Sequence, residues 1–170
     1  MLQGQEIEEE VDKMLGLSIA LIGAALGAAF GAIGSAKGVG MAGEAAAGVL
    51  AEKPELFGTV LILQALPGTQ GFYGFIGAFL ILLRLGILGG NFPELTIAQG
   101  LTVFAVSIPL IFGLFVSAIW QGKASVAALQ MIAQRPQTTG QAIIIPALVE
   151  TYAILSLITS IILLFFGVKL

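Results

Sequence analysis

Glu150 is the only acid deep within the last three apolar stretches of this chain, in the run Pro146-Ala147-Leu148-Val149-Glu150-Thr151-Tyr152-Ala153-Ile154-Leu155. A charge at mid-bilayer depth costs about 2.5–3.5 kcal/mol on insertion scales, so it calls for partners. Helical arithmetic suggests which. Glu150 follows Pro136 by 14 residues and Gln121 precedes it by 15. In a tight antiparallel hairpin the two sit level, about 21–22 Å from the loop. Thr69 and Gln70 follow Pro54 by 15 and 16 residues, the same depth in an earlier hairpin. Leu66, Thr69, Gln70 and Tyr73 recur at i, i+3, i+4 and i+7, which makes them one helix stripe. An acid hydrogen-bonded to a neighbouring helix for structure alone is the plainer reading, and this convergence of polar groups disfavours it. A carboxylate, two amide oxygens and a hydroxyl are hard donors that suit hard cations. One carboxylate balances one charge, whereas Ca²⁺ or Mg²⁺ usually gathers more acids. The set points to a monovalent cation, and to Na⁺ over H⁺ because a proton needs Glu150 alone. Pro67 lacks an N–H and disrupts the turn around Leu63 to Leu66, freeing carbonyls for the same purpose.

The elements that must hold these groups are membrane helices. Of the 170 residues 58% are hydrophobic and only 10% charged, and the mean hydropathy is +1.04. Soluble domains carry about 25% charge. A net charge of −3 offers no basic surface for nucleic acid, and the absence of Cys and His removes disulfides, thiol chemistry, Ser-His-Asp triads and the usual zinc sites. Four apolar stretches run from Met14 to Leu50, Leu56 to Leu88, Leu95 to Ile132 and Gln141 to Val168. Each exceeds the ~20 residues that span a bilayer. The fold expected is an all-α membrane protein with four transmembrane helices and both termini on one side. Residues 1–13 read as an acidic, solvated N-terminal tail, 14–88 as a first hairpin, 89–94 as a linker and 95–170 as a second hairpin. A basic start is missing, so the tail does not read as a signal peptide. Lys37, Lys53, Lys123 and Arg135 lie on the loop side, against Lys13, Arg84 and Lys169 on the terminal side. The positive-inside rule then puts the short hairpin loops in the cytoplasm and the termini outside.

The chain is a duplication. A shift of 82 residues brings Phe30-Gly31 onto Phe112-Gly113, Ser35-Ala36 onto Ser117-Ala118, Gly40 onto Gly122, Pro54 onto Pro136, Ala65-Leu66 onto Ala147-Leu148 and Thr69 onto Thr151. The repeat unit is a hairpin, so the halves run parallel, unlike an inverted transporter repeat. Gly68 stands where Glu150 does and Val39 where Gln121 does, leaving one polar constellation per two hairpins. Gly23, Gly27 and Gly31, then Gly34 and Gly38, give the first helix a thin face, expected to pack between copies of the chain. Gly38-Val39-Gly40-Met41-Ala42-Gly43 matches G-x-G-x-x-G but lies inside an apolar helical stretch without a preceding strand, and no phosphate-loop motif occurs. No bound nucleotide is expected. Lys37, Glu44 and Lys123 read as interfacial residues with snorkelling heads, Arg84 and Lys169 as interface anchors, and Trp120 as a packing or belt residue.

The runs Leu66-Pro67-Gly68-Thr69-Gln70-Gly71-Phe72-Tyr73-Gly74, Gln121-Gly122-Lys123, Gly34-Ser35-Ala36-Lys37-Gly38-Val39-Gly40 and Leu148-Val149-Glu150-Thr151-Tyr152-Ala153-Ile154-Leu155 resemble the proteolipid rotor subunit of V-type ATPases, most of all that of the sodium-pumping bacterial enzymes. The resemblance covers nearly the whole chain after the acidic tail. It implies a membrane ring of identical copies, with the first and third helices inside and the second and fourth outside. It also implies Na⁺ held by the Leu66 carbonyl and the side chains of Thr69, Gln70, Gln121 and Glu150, with Tyr73 hydrogen-bonded to the glutamate. For the carbonyl it names Leu66, where the proline reasoning alone reaches Leu63 first. The mechanism implied is rotation: Glu150 takes one Na⁺ from a half-channel made with a stator membrane subunit, and a stator cation, Arg, displaces it at the exit. ATP hydrolysis in a separate soluble sector turns the ring through central-stalk subunits on the cytoplasmic loops. The chain is then non-catalytic, surrounded by lipid in a bacterial plasma membrane, and without a nucleic-acid partner. The rivals are the same ring carrying H⁺, a stand-alone cation or drug antiporter, whose acid belongs in the first helix, and a passive pore, which does not require Glu150.

Overall fold

The computed structural model describes residues 2–168; Lys169 lies outside them. The described residues form four long helices and no strand. The first runs Leu2–Glu52, and the other three span Pro54–Arg84, Ile97–Gln134 and Pro136–Gly167. All four are long and apolar enough to cross a membrane. Prolines set the two tight loops. Lys53 (φ −136°, ψ 69°) and Arg135 (φ −138°, ψ 83°) adopt nearly the same backbone conformation at equivalent places in the repeat. Each precedes a proline, whose ring forces its predecessor out of helical geometry, and each proline then opens a short 3₁₀ turn.

The acidic segment differs from the expected tail. Residues 4–12 continue the first helix, exposed except where Asp12 and Lys13 meet the connection between hairpins. Lys13 pairs with Glu94 at 2.8 Å and with Glu9 at 2.9 Å, and an Asp12 carboxylate oxygen accepts from the Ile97 N–H at 3.4 Å. These contacts hold the first helix beside the start of the third, so the acidic turns extend about 15 Å beyond the linker. The connection is also longer than the polar run 89–94. Gly86 (φ 78°) takes the left-handed conformation and ends the second helix two residues after Arg84, although Leu85, Ile87 and Leu88 are apolar. Thr96 restarts the chain with a capping box to Gln99.

The first helix packs along the second and third, and the fourth lies on the third. The glycine face, expected between copies, is used inside the chain instead. A Cβ on Gly31 would meet the Gln70 carbonyl oxygen at 2.7 Å, and one on Gly38 would meet the Ala118 carbonyl oxygen at 2.5 Å and Pro67 Cβ at 2.7 Å. Backbones this close leave no room for side chains, and the first helix has two neighbours to accommodate rather than one. Two buried clusters flank the polar layer. One centres on Leu110, Leu114 and Ile81, the other on Leu63, Leu129 and Ile132.

Two helices break regularity where prolines enter them. The second switches to a 3₁₀ turn at Leu66–Gly68. The third widens to a π turn at Pro109–Leu114, and there Ser160 of the fourth helix donates to the Val106 carbonyl at 2.8 Å. Proline removes an N–H and leaves upstream carbonyls to other donors.

Candidate ion-binding site

The polar residues of the second, third and fourth helices meet at one point. Glu150 Oε2 accepts hydrogen bonds from Thr69 Oγ1 at 2.8 Å and from Gln121 Nε2 at 2.7 Å. Gln70 Nε2 donates to Gln121 Oε1 and, at 3.3 Å, to Ser117 Oγ. Gln70 and Gln121 are fully buried, while Thr69 and Glu150 are partly so. Glu150, Gln121, Thr69 and Gln70, reckoned level from loop distances alone, are thus joined in a single network.

The 3₁₀ turn sets a carbonyl beside Thr69. Thr69 presents both its N–H and its hydroxyl, the latter at 3.0 Å, to the Leu66 carbonyl oxygen. The Thr69 hydroxyl has one proton, and Leu66 O, Gln70 Oε1 (3.4 Å) and Glu150 Oε2 all stand within its reach. Around it, oxygens outnumber the protons available to them. Gln121 turns its nitrogen to the carboxylate and to the Pro146 carbonyl (3.2 Å), and its oxygen to Gln70. Tyr73 stands beside Glu150 and Thr69.

Glu150 Oε1 is buried and has no hydrogen-bond partner, one of three such side-chain atoms among the described residues. Leaving a buried acceptor unsatisfied costs about 1–3 kcal/mol, more when it is charged. A cation or a proton at Oε1 would remove that cost, and the oxygens of Leu66 and Gln70 stand around the Thr69 hydroxyl that meets the other carboxylate oxygen.

Two site-forming residues escaped the sequence reading. Ser35 on the first helix accepts the Gly71 N–H at 2.8 Å and so ties down the stretch that carries Thr69 and Gln70. Ser117, one turn before Gln121, contacts Gln70 and donates to the Val149 carbonyl at 3.2 Å. The signal was the repeat itself, which aligns these two serines in a chain that otherwise discards polar groups at this depth.

Two tandem membrane hairpins with one embedded carboxylate define an ion-carrying proteolipid of a rotary ATPase. The chain belongs to the family of ATP synthase C subunits, whose pattern it matches twice, over residues 22–81 and 104–163. The two matches are offset by the same 82 residues as the repeat. It is 47% identical to the V-type sodium ATPase subunit K of Enterococcus hirae over 85% of this chain and 89% of that one. It is 38% identical to the A-type ATP synthase subunit K of Methanocaldococcus jannaschii over 87% of this chain and 62% of that longer one. The chain is accordingly an integral membrane rotor subunit of a V/A-type ATPase and has no catalytic role of its own.

Proposed function

We propose that each copy carries one Na⁺, held by Glu150, Gln121, Thr69, Gln70 and the Leu66 carbonyl, and moves it across the membrane by rotation of a ring of copies. The observation that carries this reading is the buried, unpartnered Glu150 Oε1, on a carboxylate whose other oxygen meets the Thr69 hydroxyl, itself within reach of the Leu66 and Gln70 oxygens. A proton would satisfy Oε1 alone; the surplus of neighbouring oxygens favours the larger cation. The name of the Enterococcus hirae relative, a sodium ATPase subunit, points the same way.

Binding neutralises the carboxylate. A neutral copy can face lipid, whereas an empty, ionised one at mid-membrane costs about 2.5–3.5 kcal/mol, so ion occupancy gates rotation. Gln121 turns its oxygen from Gln70 to the ion as it binds, and Tyr73 is near enough to donate to the carboxylate once Thr69 is engaged with the cation. A stator cation displaces the ion at the exit half-channel, and central-stalk subunits on the cytoplasmic loops couple rotation to ATP hydrolysis. The exposed surfaces suit the ring. The second and fourth helices present Phe72, Phe75, Leu148, Leu155 and Phe166 outward, fit for lipid. The reading places the ring in a bacterial plasma membrane with the termini outside.

The test is carbodiimide labelling of Glu150 in the whole ATPase, read by mass spectrometry across a Na⁺ series. Protection by Na⁺ and not by K⁺ at equal ionic strength is expected. Labelling that ignores Na⁺ and yields only to rising pH would replace Na⁺ by H⁺ on the same ring. Glu150→Gln should abolish coupled transport, and a variant that still pumped would overturn the role of Glu150 altogether.

A further inference from the structure

We infer that Ser117 is a positioning residue of the ion site, orienting the Gln70 amide and tying it to the backbone of the helix that bears Glu150. The inference rests on the Na⁺ reading above. Ser117 is buried on the third helix, four residues before Gln121, between the two groups it joins. Its hydroxyl proton goes to the Val149 carbonyl at 3.2 Å, which leaves its lone pairs free to accept the Gln70 N–H at 3.3 Å. A hydroxyl has one proton, so donating to Val149 fixes Ser117 as the acceptor toward Gln70.

The direction of this chain of hydrogen bonds has a consequence for the amide. Gln70 Nε2 spends its two N–H groups on Ser117 and Gln121, so Gln70 Oε1 is turned toward Thr69 and the site. When Gln121 turns its oxygen to a bound cation, Ser117 becomes the one acceptor left to hold the Gln70 amide oxygen-first. The other end of the relay matters equally, because Val149 adjoins Glu150. The ligand on the second helix and the carboxylate on the fourth are thereby referenced to one atom on the third.

The Ser117 side chain also lines a groove of about 640 Å³ between the third and fourth helices, shared with Trp120, Val149 and Tyr152. Ser117→Thr keeps the hydroxyl and adds a methyl at this groove wall, while Ser117→Ala removes the hydroxyl alone.

The experiment is the labelling assay in the assembled ATPase, run as a Na⁺ series and, separately, as a pH series without Na⁺. Ser117→Ala should raise the Na⁺ concentration for half-protection by roughly 3- to 10-fold, the worth of one hydrogen bond. The pH dependence in Na⁺-free medium should stay put, since a proton needs Glu150 and not an oriented Gln70. Ser117→Thr should restore the wild-type Na⁺ series. An unchanged Na⁺ series in the alanine variant would overturn the positioning role while leaving the sodium site intact. A pH profile that moved along with the Na⁺ series, absence of rescue by threonine, or loss of assembly would make Ser117 a merely structural residue and overturn it as well. Wild-type labelling indifferent to Na⁺ would remove the sodium reading and this inference together.

Discussion

Replacing Gly38 by alanine tests whether the small-residue face of the first helix works inside the chain. A Cβ there would lie 2.5 Å from the Ala118 carbonyl oxygen and 2.7 Å from Pro67 Cβ, whereas ordinary contact begins at 3.4 Å. Both neighbours are rigid: one is helix backbone, the other a proline ring. The helices must therefore separate by several tenths of an ångström on two sides. Overpacking of this kind costs about 1–3 kcal/mol. Alanine also gains about 0.8–1.0 kcal/mol of helix propensity over glycine, which would mask part of the loss. Gly40, two residues on, supplies the control, because a Cβ there meets nothing within 4 Å in the chain. Propensity cancels between the two variants, so Gly38→Ala should be less stable than Gly40→Ala by about 1–3 kcal/mol. The assay is thermal loss of helicity of the purified protein, read alongside Na⁺ protection of Glu150. Gly38 touches Pro67 on one side and the third helix one turn before Gln121 on the other, so the wedge should also weaken Na⁺ protection. Equal stability and equal Na⁺ protection in the two variants would refute the internal packing of this face.

Thr69→Val keeps shape and removes a charge-assisted bond to Glu150, worth about 1.5–3 kcal/mol, and should raise the protecting Na⁺ concentration at least about 10-fold in the labelling assay. Pro67→Ala should return Leu66–Gly68 toward regular helix, withdrawing the Leu66 carbonyl from Thr69 and weakening Na⁺ protection with little change in total helicity by circular dichroism. Glu94→Gln breaks an exposed surface pair with Lys13; it should leave the unfolding temperature nearly unchanged at low salt and wholly unchanged in high salt.

Much of this protein is legible in its residues taken in order. Proline and glycine punctuate the helices because they alter the backbone locally, so Pro54, Pro67 and Pro136 mark their breaks without any knowledge of neighbours. Depth is likewise local, since a constant rise per residue turns loop distances into heights; Glu150, Gln121, Thr69 and Gln70 could be set level by counting. The duplication, and the single Glu that survives in it, are properties of the string alone.

What counting could not decide is which way each face turns and what it meets there. The glycines of the first helix fit a neighbour inside the chain or outside it equally well; only the assembled helices set Gly31 against Gln70 and Gly38 against Ala118. Acidic composition marks residues 4–12 as solvated but not as irregular, and the contacts of Asp12 and Lys13 with the linker belong to a helix that continues through them. The amide orientations of Gln70 and Gln121, and the roles of Ser35 and Ser117, depend on who donates to whom across three helices. A hydrogen bond is a relation between distant residues and has no period in the sequence, so tertiary structure alone decides it.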